Sequence, residues 1–160
     1  MTKMPGLSIP RSRRGYSMVE LVIVMAVILV LTAMIVPIAK FSIQRQKETE
    51  LKEALRNIRS AIDDYKRMSD QGLITIDMGT EGYPKELEVL VEGVELVGQV
   101  KKKKRFLRRI PIDPMTGEAE WGLRSYQDEP DSRGWGRQNV YDIYSLSGAT
   151  ALDKSKYRDW

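Results

Sequence analysis

The stretch Arg11-Ser12-Arg13-Arg14-Gly15-Tyr16-Ser17-Met18-Val19-Glu20 is followed, from Leu21 to Ala39, by a run with no charged residue. These 19 uncharged positions come close to the ~20 residues a helix needs to cross a bilayer core. Eleven of the sixteen residues from Leu21 to Val36 are Leu, Ile or Val, worth roughly −3 to −7 kcal/mol on an insertion scale. Several are β-branched and favour a strand in water. In lipid a single span must satisfy its own backbone hydrogen bonds, so it becomes a helix. The alternative, a buried core helix, needs surrounding apolar elements that the rest of the sequence does not provide.

Charge gives the direction. Lys3, Arg11, Arg13 and Arg14, with no acid among residues 1–15, account for the whole net charge of +4. Beyond the run Lys40, Arg45 and Lys47 are mixed with Glu48 and Glu50. The positive-inside rule places the N-terminus in the cytoplasm and the remainder across the membrane. The apolar run is too long for a conventional signal peptide, and no small-residue cleavage pattern closes it. The small residue, Gly15, stands before the run. Glu20 sits at its start, where a charge is costly and calls for a partner. A free amine made by cutting between Gly15 and Tyr16 supplies one.

Composition narrows the chemistry. The 160 residues contain no cysteine and no histidine. Disulfides, thiol catalysis, serine–histidine dyads and Cys/His metal sites are therefore excluded within the chain. There is no phosphate-binding loop. Asp113, Asp142 and Asp153 are the only acids suggestive of a carboxylate site, and their spacing implies no convergence, so no enzymatic activity is expected.

Downstream, Leu51, Ala54, Leu55, Ile58, Ala61, Ile62, Tyr65 and Met68 recur at spacings of three and four, the signature of a helix with one face to cover. Gly72 reads as its stop. A helix over residues 17–71 is about 80 Å long. Its apolar stripe is expected to pack on the chain's own C-terminal part, and the polar stretch Gln44–Glu50 to face water or a neighbouring subunit. Pro37 either kinks this helix or ends its membrane half. Lys85–Val91 suggests a short helix with Leu87, Leu90 and Val91 inward. Trp121–Tyr126 and Asn139–Leu146 suggest two strands of a small antiparallel sheet, which needs a helix behind it to be stable. Lys101–Arg109 is a basic run without the aromatic interleaving of a nucleic-acid platform, so no nucleic acid is expected. It reads as a solvated stretch paired with acids of neighbouring subunits, or as a surface for anionic lipid.

Arg14-Gly15-Tyr16-Ser17-Met18-Val19-Glu20-Leu21 resembles the cleavage motif of type IV prepilins and pseudopilins. The resemblance implies that a prepilin peptidase cuts after Gly15 and methylates the amine of Tyr16. It also implies that Glu20 pairs with that amine on a neighbouring subunit, and that Pro37 stands where the family has a helix-kinking proline. Tyr16 departs from the family's usual Phe. Further along, Tyr83-Pro84, then Ile110-Pro111-Ile112-Asp113-Pro114, then Tyr141-Asp142-Ile143-Tyr144-Ser145-Leu146 are similar in order to segments of the major (G-type) pseudopilin of type II secretion. Here Met115-Thr116-Gly117 replaces the Trp-Gly usual after Asp-Pro.

The implied fold is α+β and pilin-like: a long N-terminal helix packed on a small C-terminal antiparallel sheet. The implied organisation is a leader over 1–15, a transmembrane and assembly helix over 16–40, an amphipathic periplasmic helix over 41–71 and a head domain over 72–160. The implied function is that of a non-enzymatic filament subunit of the type II secretion system. It would be anchored in the bacterial inner membrane by a single pass, with its head in the periplasm. Its partners would be further copies of itself, the peptidase, minor pseudopilins, the inner-membrane assembly platform and membrane lipid. A true type IV pilin forming surface fibres is the alternative. The family's final loop often binds calcium. Here Ser145, Ser147, Asp153 and Asp159 supply only some of the six to eight oxygens calcium takes, and Lys154, Lys156 and Arg158 oppose them. The other way to close this loop is hydrophobic, through Tyr157 and Trp160. No other cofactor is expected.

Overall fold

A computed structural model describes residues 15–98 and 103–160, with the side chains of residues 34–38 outside the description. Residues 1–14 of the expected leader, and Lys101 and Lys102 of the basic run, lie outside the described residues. The chain divides into two units, Met1–Phe41 and Ser42–Trp160.

One helix, α1 (Met18–Asp70), supplies elements to both units. Its backbone stays helical through Pro37, so the proline does not end it. Its C-terminus is closed by glycine. Gly72 holds φ at 69°, its N–H donates to the Ser69 carbonyl at 2.9 Å, and the Leu73 N–H donates to the Met68 carbonyl at 3.0 Å. This pair of bonds is the Schellman closure, which uses a left-handed residue to satisfy the last carbonyls.

In the second unit the stripe of α1 is the floor of the core. Leu51, Leu55, Ile58, Ala61, Ile62 and Tyr65 are buried against Leu87, Leu90, Leu107, Trp121, Val140, Ile143 and Tyr157. The elements over this floor are short. Helix α2 (Glu88–Glu92) buries Leu90. It is followed by β1 (Val94–Glu95), paired antiparallel with β2 (Lys103–Lys104), and by β3 (Gly122–Arg124), paired antiparallel with β4 (Asp142–Tyr144). A single turn of 3-10 helix spans Tyr157–Asp159. The architecture is α+β, with two separate two-stranded sheets where the sequence suggested one. Gly122 opposes Tyr144 in the ladder, and a Cβ there would lie 2.3 Å from the tyrosine ring. Only glycine lets that ring lie across the strand.

Arg59 ties α1 to the strands. Its guanidinium donates to Asp142 Oδ1 at 2.7 Å and to the main-chain carbonyls of Ile143 at 3.1 Å and Trp160 at 2.8 Å. Arg124 lies 3.5 Å from the other oxygen of Asp142 and stacks over Tyr144.

Candidate functional site

Helix α1 begins immediately after Gly15-Tyr16-Ser17, and its first bond runs from the Leu21 N–H to the Ser17 carbonyl at 3.1 Å. Glu20 lies in this first turn, where a carboxylate complements the unpaired N–H groups at the positive end of the helix. Gly15, Tyr16 and Glu20 are all exposed. The side chain of Pro37 lies outside the described residues.

From Met18 to Leu31 every large hydrophobic side chain is 47–84 % exposed. The exposed residues occupy all sides of the helix, not one stripe. So continuous an apolar surface is incompatible with a solitary helix in water and marks a membrane or protein contact. Among the described residues no helix is long and apolar enough to cross a membrane. The described side chains of the uncharged run stop at Ala33 and resume at Ala39, and the run in the sequence bridges that interval.

In the second unit, Tyr83-Pro84 and the Ile110–Pro114 link each meet the strand region Val140–Ser145. The Val140 N–H donates to the Pro84 carbonyl at 2.7 Å. The rings of Tyr83 and Tyr141 stand edge to face at 5.2 Å. Asp113, fully buried, accepts the Ser145 hydroxyl at 2.6 Å and the Met115 N–H at 2.7 Å. This carboxylate is an internal brace between the Ile110–Pro114 link and the end of β4. Asp142 is held by Arg59 and Arg124, and Asp153 accepts the Ser155 N–H at 2.9 Å and its hydroxyl at 2.6 Å. The three acids singled out in the sequence thus have three separate local roles.

The residues considered for calcium are likewise dispersed in function. Ser145 donates to Asp113, Ser147 accepts the Ala149 N–H at 3.4 Å, Asp153 caps its own turn and Asp159 lies 3.6 Å from Arg158. No group of three acids suited to a metal occurs among the described residues. This donor set does not fit a calcium site.

The loop is closed another way. Tyr157 is buried, packs edge to face on Trp160 at 5.1 Å and donates to Glu48 Oε1 at 2.9 Å. The same Glu48 oxygen accepts the Leu152 N–H at 2.9 Å, and Gln44 donates to the Tyr157 hydroxyl at 3.0 Å. Burial raises the Tyr157 hydroxyl above its ordinary pKa. Gln44 and Glu48, which the sequence assigned to water or a neighbouring subunit, therefore hold the C-terminal loop. They are four residues apart on α1, but nothing in a polar helical stretch distinguishes a loop anchor from a solvated face.

Residues 10–36 match the family model described as the prokaryotic N-terminal methylation motif. No curated protein and no solved structure gives a significant match.

Proposed function

We propose that the chain is a structural subunit of the periplasmic filament of type II secretion, a major pseudopilin, polymerising through its N-terminal helix to support protein export across the outer membrane. The observation that carries the reading is the helix itself. It is exposed and apolar on all sides from Leu21 to Leu31, it has a single carboxylate at its first turn, and its part up to Val36 falls within the matched methylation motif. Cutting between Gly15 and Tyr16 leaves an amine four residues before Glu20, and methylation of Tyr16 preserves the positive charge of that amine. In lipid the Glu20 carboxylate is costly until it is paired. The amine of an adjacent copy relieves it, so pairing favours assembled subunits over isolated ones and fixes their stagger. The secretion reading, over a surface pilus, rests on the in-order likeness of Tyr83-Pro84, Ile110–Pro114 and Tyr141–Leu146 to segments of the major pseudopilin.

Membrane lipid holds the helix before assembly, with the N-terminus cytoplasmic and Ser42–Trp160 periplasmic. The prepilin peptidase, minor pseudopilins and the inner-membrane platform are the implied partners. Glu20→Ala is expected to leave the protein in the membrane fraction while filament yield collapses. A normal yield of sheared filaments from that variant would defeat the proposal, and long extracellular fibres of the wild-type chain would move it to the surface pilins.

A further inference from the structure

Tyr83, Tyr126 and Tyr141 pack against one another with centroid distances of 5.2–5.9 Å. Tyr126 is 58 % and Tyr141 46 % exposed. Three aromatic rings gathered at a surface, two of them open to water and Tyr83 partly buried behind them, are the makings of an interaction hot spot.

The surroundings select the partner. Lys66 already stands over the Tyr83 ring, with its ammonium 5.4 Å from the centroid, and its charge is taken up by Asp70. Asp63 and Glu81 are exposed, Asp63 one turn before Lys66 on α1 and Glu81 two residues before Tyr83. Neither acid is in an ion pair among the described residues. Ring faces bordered by unpaired carboxylates attract cations. The chain has the matching group. Lys103, Lys104, Arg105, Arg108 and Arg109 are exposed, and among the described residues none of them is in an ion pair. Glu95 is the residue opposite Lys103 in the β1–β2 ladder, yet it forms no ion pair there.

We propose that the Tyr83–Tyr126–Tyr141 cluster, with Asp63 and Glu81 at its rim, receives the Lys103–Arg109 segment of a second copy of this chain. The contact is heterologous, one patch meeting a different patch, so in any pair each copy keeps its other patch free and the contact repeats along an open array. The inference rests on the filament reading, to which it adds a contact between periplasmic parts. Arginine suits the site because its planar guanidinium stacks on a ring while still donating to carboxylates.

The absence of cysteine makes the test clean. Two full-length single variants, Tyr126→Cys and Arg108→Cys, are co-expressed in a host with the secretion machinery and oxidised in intact cells. A disulfide-linked heterodimer is expected from that mixture. It should be absent when Met78→Cys, a fully exposed position, replaces Tyr126→Cys. Reversing Arg105 and Arg109 to Glu on the Arg108→Cys copy should lower the cross-linked fraction roughly 2- to 30-fold, the range set by a cation–ring contact. Adding Asp63→Lys and Glu81→Lys to the other copy should restore it. No heterodimer, or one equally abundant with Met78→Cys, overturns the contact. So does retention of the wild-type chain on a polysaccharide matrix that Tyr126→Ala abolishes, if no cross-link forms, because the cluster would then be a glycan site. Wild-type filaments are scored separately by electron microscopy. Filaments without the cross-link refute this contact alone, whereas no filaments refute the function proposed above.

Discussion

Truncating Arg59 to Ala removes, among the described residues, the one side chain of α1 that bonds both β4 and Trp160. The guanidinium makes bonds of 2.7, 2.8 and 3.1 Å to Asp142, the Trp160 carbonyl and the Ile143 carbonyl. Arg59 and Asp142 are 37 % and 25 % exposed, so the ion pair is partly screened and counts for about 0.5 kcal/mol. Loss of Arg59 does not orphan Asp142, since Arg124 lies 3.5 Å away. The two carbonyl bonds contribute ~0.5–1 kcal/mol each when water can partly replace the donor. The expected loss is about 2 kcal/mol, which lowers the melting temperature of a unit this size by roughly 8 °C. Trp121, Trp135 and Trp160 all lie in Ser42–Trp160. Tryptophan fluorescence of the detergent-solubilised full chain therefore reports this unit without interference from the N-terminal helix. Arg59→Lys should recover less than half of the loss, because the three donors of an ammonium share one nitrogen and lack the planar fork that reaches these separate acceptors. A drop of under about 2 °C for Arg59→Ala would mean that water replaces the guanidinium fully, refuting the reasoning.

Two further outcomes are expected. Asp128 accepts the N–H groups of Ser125 at 2.7 Å and Gly136 at 3.1 Å, and these bonds hold its pKa below the ordinary 3.8. A depressed carboxyl stabilises the fold above its unfolded value, and the contribution is lost as pH falls below 3.8 through the folded value. An NMR titration of the Asp128 carboxyl carbon should give a midpoint under 3.8, and one at or above it would contradict the hydrogen-bonded loop. Excess calcium should leave the fluorescence melting curve unchanged, because a ligand raises stability only when the native state has a site for it. A clear calcium-dependent rise abolished by Asp153→Ala would show that the loop rearranges to build one.

The parts of the fold legible in the sequence are those with long periods. The uncharged run and the three-and-four stripe place a helix over 17–71, and α1 spans Met18–Asp70 with Gly72 as its closure. The stripe from Leu51 to Tyr65 is buried as its spacing requires, and Met68 packs against the core partly exposed. The two strands near Trp121 and Ile143 were legible in position and pairing, but only three residues of each join the ladder. The β1–β2 pair was not legible, because two-residue strands have no alternation to read. Helix α2 starts three residues later than its apolar pattern suggested, at Glu88.

At the site level the expectation for Gly15, Tyr16 and Glu20 starts from a lone carboxylate at the edge of an apolar run, which is conspicuous in a sequence. The Arg59–Asp142 tie, the Asp113–Ser145 brace and the tyrosine cluster join residues 32–83 positions apart or gather three loops. Local pattern carries no trace of such distant pairings.

The most direct test of the filament-subunit account is the intact mass and N-terminal sequence of the protein extracted from membranes of a host with an active prepilin peptidase. The account predicts a chain beginning at Tyr16 and heavier by one methyl group. A chain still beginning at Met1, or cut at another bond, would contradict it.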